Sequence, residues 1–260
     1  RPGSIETFGN ENSQEDYVRR CRRVSGDPDY ADRVLGCLLG GAVGDAFGYE
    51  VEFNALSTIQ SRFGEHGIRE PVYHSGALIV SDDTQMTLFT LEGLLRSDLD
   101  DRDDVNEQIR LAYSDWLSTQ TDMPEDWEPT GTLYLVEALN RNQAPGNTCL
   151  SALQSGGWGT PENAINNSKG CGGVMRVAPI GFIRDWSPEQ AFDVAARAAA
   201  ITHGHPSGFW SAAAMSAMVR MMVDGEDLER AAEASLDMLA DKPGHEETTD
   251  AIDQVDGRFI

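Results

Sequence analysis

Val34, Leu35, Leu38, Leu39, Ala42, Val43 and Ala46 recur at three- and four-residue spacing, a period that lines one face of an α-helix. The period returns through Met86, Leu88, Leu91, Leu94 and Leu95, behind a helix start expected at Asp83 or Thr84. Shorter stretches carry it over Val105 to Leu117 and Leu133 to Leu139, and further helices are expected over Phe209 to Val223 and Leu228 to Leu239. Ser187-Pro188-Glu189-Gln190 adds a start signal, with Ser at the cap, Pro at the first helical position and Gln three residues after the cap. Strand patterning is confined to the short apolar run Ala77 to Val80, too little for a sheet. The predicted fold class is all-α, a compact multi-helix bundle.

Residues 1–29 mix Gly, Pro, Asn, Ser and charge without an apolar period and are expected to form a flexible arm ahead of one domain over 30–260. Asp98 to Asp104 reads as a solvated acidic turn, and the Gly-, Pro-, Asn- and Ser-rich stretch from Gln143 to Asn167 as a loop. Gly36, Gly40, Gly44 and Gly48 fall four apart within the first helical pattern. Each costs a helix about 1 kcal/mol relative to alanine, so the row is expected to face a backbone or ligand at close range.

Charge removes one class of partner. The chain has a formal charge of -23, with two lysines, Lys169 and Lys242, and 43 acidic residues. Non-specific binding to DNA or RNA needs a basic surplus and is excluded. The Asp-rich, Lys-poor balance is read as a high-salt adaptation, in which screening suppresses self-repulsion. No run of apolar residues reaches the length of a membrane span and the N-terminal stretch is polar, so the expectation is a cytoplasmic protein with no membrane partner. Cys21, Cys37, Cys149 and Cys171 are widely spaced and are expected to be free thiols.

Chemistry concentrates in a few places. Ser81-Asp82-Asp83-Thr84 sets oxygen-bearing side chains in a row at a helix entrance. Adjacent carboxylates repel unless a cation or proton separates them, and hard oxygen ligands suit magnesium or manganese. The competing reading is a helix N-cap with an acidic first turn. Asp45 and Glu52 lie seven residues apart. Asp45, inside the apolar helix, reads as a carboxylate tying two helices together by hydrogen bonds, and Glu52 as the more chemical of the pair. Gly170-Cys171-Gly172-Gly173 offers backbone N–H groups that would approach phosphates. His203, in Thr202-His203-Gly204-His205-Pro206, is either a capping or core histidine or a ligand contact.

In order, Gly44 to Gly48 with Glu52, Ser81 to Thr84, Gly170 to Pro179 and Thr202-His203 resemble the ordered motifs of the ADP-ribosylhydrolase (ADP-ribosylglycohydrolase) family, specifically enzymes like dinitrogenase reductase-activating glycohydrolase, from about Val34 to Phe209. The resemblance implies a helical fold holding two magnesium or manganese ions, with Ser81, Asp82 and Asp83 as metal ligands and Glu52 as the carboxylate beside the scissile bond. It implies that Gly170, Cys171, Gly172, Gly173 and His203 contact ADP-ribose. The implied activity is hydrolysis of the glycosidic bond between ADP-ribose and a modified side chain, on a protein or on a small ADP-ribose conjugate. The alternative is a non-catalytic ADP-ribose binder of the same fold. Family members carry a further Gly-Asp-x-Asp-Thr-like segment near the C-terminus, which neither Asp224 to Asp227 nor Asp253 to Gly257 matches. The chain is therefore expected to be a fragment or truncated form.

Overall fold

A computed structural model describes residues 29–256, with side chains described to residue 254. The expected N-terminal arm lies outside the described residues except at its last position. By Cα proximity the chain groups into residues 1–40 and 41–260, the division falling inside the first helix.

The fold is all-α. The described α-helices are α1 (Tyr30–Tyr49), α2 (Leu56–Phe63), α3 (Asp82–Arg96), α4 (Arg102–Ser118), α5 (Asn147–Gln154), α6 (Pro188–Ala200), α7 (Pro206–Val223), α8 (Leu228–Leu239) and α9 (Glu246–Asp256). Short 3-10 turns cover Leu133–Leu135, Val174–Arg176 and Ala178–Phe182. The Ala77 to Val80 run yields only an isolated bridge between His74 and Ala77. No described helix is long and apolar enough to cross a membrane.

Two helical pairs build the core of the 41–260 unit. In the first, α3 and α4 bring Met86 and Phe89 against Ile109, Tyr113 and Trp116, all fully buried. They meet at a glycine: a Cβ built on Gly93 would lie 2.7 Å from Ile109 Cα, so the close approach depends on the missing side chain. In the second, α6 and α7 pack closely and bury alanines of both helices in one core, Ala195, Ala198 and Ala199 on α6 and Ala212, Ala213 and Ala217 on α7, with α8 also packed on α7. Small side chains let backbones come near, and helices crossing so closely tolerate little added volume. The start of α6 is the predicted capping box: Ser187 Oγ accepts from the Gln190 N–H while Gln190 Oε1 accepts from the Ser187 N–H.

Three sequence expectations change. The pattern over Leu133 to Leu139 shortens to one 3-10 turn, because its leading loop is claimed by carboxylates: Glu92 accepts from the N–H groups of Thr132 and Leu133, and Asp115 from those of Thr130 and Gly131. Within the expected Gln143 to Asn167 loop, Asn147–Gln154 is helical and buries Cys149 and Ala152. Finally, α1 has the predicted helical period, but Ala46 is its single buried residue, and Val43 is 48% exposed. No described atom lies within 4 Å of a Cβ built on Gly44 or Gly48, so nothing described approaches the C-terminal half of that glycine row.

Candidate active site

The carboxylate of Asp45, on α1, sits at the start of α3. Its Oδ1 and Oδ2 accept from the Ser81 N–H at 3.0 and 2.9 Å, and Oδ2 also accepts from the Thr84 N–H at 3.2 Å and the Thr84 hydroxyl at 2.5 Å. The first N–H groups of a helix have no partner within it, and here a carboxylate from another helix supplies one. The Ser81 hydroxyl accepts from the Asp83 N–H at 3.2 Å, so both parts of the cap reading hold: Ser81 is the N-cap, and α3 begins at Asp82, one residue before the earliest expected start.

Residues 143–146 lie across this helix start. The Asp82 N–H donates to the Gln143 carbonyl at 3.0 Å, the Gly146 N–H donates to Asp82 Oδ2 at 2.9 Å, and the Tyr49 hydroxyl donates to Gln143 Oε1 at 3.1 Å. Asp82 is thereby buried, while Asp83 is half-buried and its carboxylate accepts from no described donor.

Crowding of negative charge shows in the acidities. Burial pushes Asp82 up to about 6, against the pull of the Gly146 N–H, and the charges of Glu52 and Asp45 raise it further. Asp83 is pushed up to about 7, by burial first and then by Asp82, Asp45 and Glu52. Glu52, exposed in the turn after α1, thus acts on the same corner. Cys171 joins it, its thiol pushed up by burial and then by Asp83, with smaller contributions from Asp82 and Glu52. Glu52 and Cys171, 119 positions apart in sequence, are thus both within electrostatic reach of Asp82 and Asp83. Among the described residues no three His, Cys, Asp or Glu side chains converge as a metal cage. The hard-oxygen donors at this corner are Asp82 Oδ1, the Asp83 carboxylate and the Ser81 hydroxyl.

Gly170 to Gly173 form the neighbouring wall, anchored to α3 where the Thr87 hydroxyl donates to the Met175 carbonyl at 3.2 Å. Gly170, Gly172 and Gly173 keep negative φ, so the glycines are not there to form an alternating right- and left-handed anion nest. Packing demands them instead. A Cβ on Gly172 would lie 2.7 Å from His203 Cε1 and 2.9 Å from Cys149 Sγ, and one on Gly173 would lie 2.7 Å from the Gly208 carbonyl oxygen. His203 lies directly beneath this loop, 1% exposed, with Nδ1 2.8 Å from the Thr202 hydroxyl. Burial, with the nearby Arg176 charge second, depresses its basicity to about 3.

A model of the ADP-ribosylglycohydrolase family matches residues 26–258. The chain belongs to that family. It is 27% identical over 221 residues to an uncharacterized protein of Archaeoglobus fulgidus, covering 81% of this chain and 65% of that one. It is also 26% identical over 211 residues to the ADP-ribosyl-[dinitrogen reductase] glycohydrolase of Rhodospirillum rubrum, covering 78% of this chain and 62% of that enzyme. The matched region thus spans less than two thirds of either relative's length. Within this family member, sequence reading anticipated the structural role of Asp45 but not the grip of Gly146 on Asp82 or the buried guanidinium of Arg176. No local pattern announces either, since both depend on segments distant in sequence.

Proposed function

We propose that this chain hydrolyses the glycosidic bond between ADP-ribose and a modified side chain, with Asp82, Asp83 and Ser81 holding magnesium or manganese and Glu52 managing the proton. One observation carries the reading: Asp82 and Asp83 are held together at a helix start with pKa values raised to about 6 and 7, a corner that binds either protons or a cation. A cation is the natural neutraliser above neutral pH, and the donors suit a hard one: Asp82 Oδ1, the unpartnered Asp83 carboxylate and the Ser81 hydroxyl. They make up part of one magnesium shell, and the second ion implied by the resemblance needs ligands beyond these. When bound, such an ion supplies charge stabilisation to oxygens of the substrate.

The protein's own groups do the rest. Asp45 and the Gly146 N–H fix where Asp82 and Ser81 stand, so the oxygen donors are positioned before anything binds. Glu52 is exposed and free to meet a solvent molecule or leaving group, as general acid or base catalysis requires. The Gly170 to Gly173 loop and His203 form the surface against which ADP-ribose is proposed to lie, and the target is a protein side chain or a small conjugate of ADP-ribose.

The test is release of ADP-ribose from an ADP-ribosylated arginine substrate with and without magnesium, together with thermal stability under the same conditions. The reading expects magnesium to raise the melting temperature and to support turnover that Asp82→Ala abolishes. Stabilisation by ADP-ribose without turnover would instead assign a binding protein, and no response to magnesium or ADP-ribose would refute both.

A further inference from the structure

Arg176 is a large, fully buried charged side chain with no carboxylate among its described partners. Its Nη2 donates to the Ala198 carbonyl at 3.1 Å and to Thr202 Oγ1 at 2.8 Å, its Nη1 lies 3.5 Å from Cys149 Sγ and 3.6 Å from Met86 Sδ, and its guanidinium carbon sits 4.2 Å from the Tyr113 ring centroid. An unpaired buried cation is expensive, so its placement calls for a reason.

Hydrogen-bond bookkeeping supplies one. Arginine only donates, so Thr202 Oγ1 accepts from Arg176. Thr202 Oγ1 is also 2.8 Å from His203 Nδ1. Were that nitrogen protonated, the threonine oxygen would accept twice and its own buried hydroxyl proton would be left with the sulfur of Cys149, a weak acceptor. With Nδ1 unprotonated, the hydroxyl accepts from the guanidinium and donates to the ring, while Arg176 Nε keeps no hydrogen-bond partner among the described residues. The ring proton then rests on Nε2, which has no hydrogen-bond partner among the described residues. This nitrogen points at the glycine loop, 3.3 and 3.1 Å from Cβ atoms built on Gly170 and Gly172.

We propose that Arg176 and Thr202 are positioning residues that hold His203 with its single ring proton on Nε2, making a fixed donor beneath the Gly170 to Gly172 loop for an oxygen acceptor of bound ADP-ribose. The ligand in this statement rests on the function proposed above; the relay does not. Burial and the adjacent guanidinium both disfavour a second proton, so the donor keeps one state across the neutral range. The guanidinium also polarises the threonine hydroxyl toward the ring, strengthening the second bond of the pair.

The experiment is long-range proton–nitrogen NMR of the histidine side chains in the whole chain near pH 7, first without ligand. A protonated Nε2 and bare Nδ1 at His203 are expected, retained in Thr202→Ser and lost or mixed in the nearly isosteric Thr202→Val. A protonated Nδ1 in the unmodified chain, or an unchanged ring in Thr202→Val, would overturn the relay, and the first of these readings needs no variant to fold. ADP-ribose is then titrated. The His203 Nε2 resonance is expected to shift, and Thr202→Val to weaken binding about tenfold, as loss of one well-placed hydrogen bond does, while Thr202→Ser does not. Binding that leaves Nε2 unmoved would overturn the donor role with the relay intact. Absence of ADP-ribose binding would overturn the proposed ligand while the ring tautomer still reports on the relay.

Discussion

Asp45→Ala removes the carboxylate that joins α1 to the start of α3, and its cost follows from the bonds it leaves open. Three donors lose their acceptor: the N–H groups of Ser81 and Thr84 and the Thr84 hydroxyl. Hydrogen bonds to a charged group contribute about 1.5–3 kcal/mol each when buried, but this corner is only partly buried and water re-enters, so about 1 kcal/mol per donor is the fairer figure. Removing the charge also relieves repulsion on Asp82 and Asp83, which Asp45 helps to raise. The net expectation is a loss of about 2–3 kcal/mol, at or above the upper end of what a helix cap contributes. For a chain of this size that lowers the melting temperature by roughly 4–12 °C. Asp45→Asn keeps one acceptor oxygen and is expected to lose about half as much. Scanning calorimetry at pH 8 in a chelating buffer isolates the effect from any metal. A melting point for Asp45→Ala within a degree of the unsubstituted chain would show that the carboxylate does not hold the helix start and refute the reasoning.

The raised pKa values of Asp82 and Asp83 give their contribution to stability a definite sign. Their folded values, about 6 and about 7, lie above the unfolded 3.8, so the fold binds these protons more tightly. Their contribution is fully present below about pH 4 and lost as pH rises through 6 to 7. In chelator the stability of the chain is expected to fall across that window, and the double variant Asp82→Asn, Asp83→Asn to flatten the profile; an unchanged slope would count against the crowding. Gly172→Ala puts a methyl 2.7 Å from His203 and 2.9 Å from Cys149 and is expected to cost about 1–3 kcal/mol in a urea titration, as overpacking does. Gly93→Ala, 2.7 Å from Ile109 Cα, forces two helix backbones apart and is expected to cost at least as much by the same assay. With a formal charge of -23, the chain is expected to melt higher in molar salt than in low salt, because screening relieves self-repulsion; a flat response would remove the high-salt reading.

Elements with their own local signals were readable in the sequence. Leu228 to Leu239 was bounded to the residue, because Asp227 caps it with a side-chain bond to the Arg230 N–H and the apolar period is complete. The capping box at Ser187 is equally local. By contrast, α2 has no side-chain cap and buries no residue, and α5 has no side-chain cap and fully buries only Cys149 and Ala152. Such helices owe their place to neighbours rather than to propensity, and no window of sequence contains those neighbours. The apolar period of α1 identified a helix, but a period does not say what covers the face, and Val43 stands 48% exposed.

The site was legible as a set of residue types and illegible as a circuit. Ser81, Asp82 and Asp83 announce themselves by adjacency, yet what raises the pKa values of the two carboxyls is first burial, and then nearby charge, that of Asp82 on Asp83 and those of Asp45 and Glu52 from another segment on both. In sequence the glycines of 170–173 read as letting backbone N–H groups approach phosphates; in the fold Gly172 also packs closely against the His203 ring and the Cys149 sulfur, partners that no local pattern announces. Cys149 links the halves: its sulfur lies 3.5 Å from Arg176 Nη1 and 4.0 Å from a Cβ built on Gly146, whose N–H holds Asp82. One short helix therefore stands between a carboxylate that disfavours its charge and a guanidinium that cannot shed its own. An added methyl at Gly172 would press on that sulfur at 2.9 Å, whereas one at Gly146 would meet it only at ordinary contact distance, so α5, whose residues read as loop in the sequence, is the element on which the spacing between the acidic corner and the histidine depends.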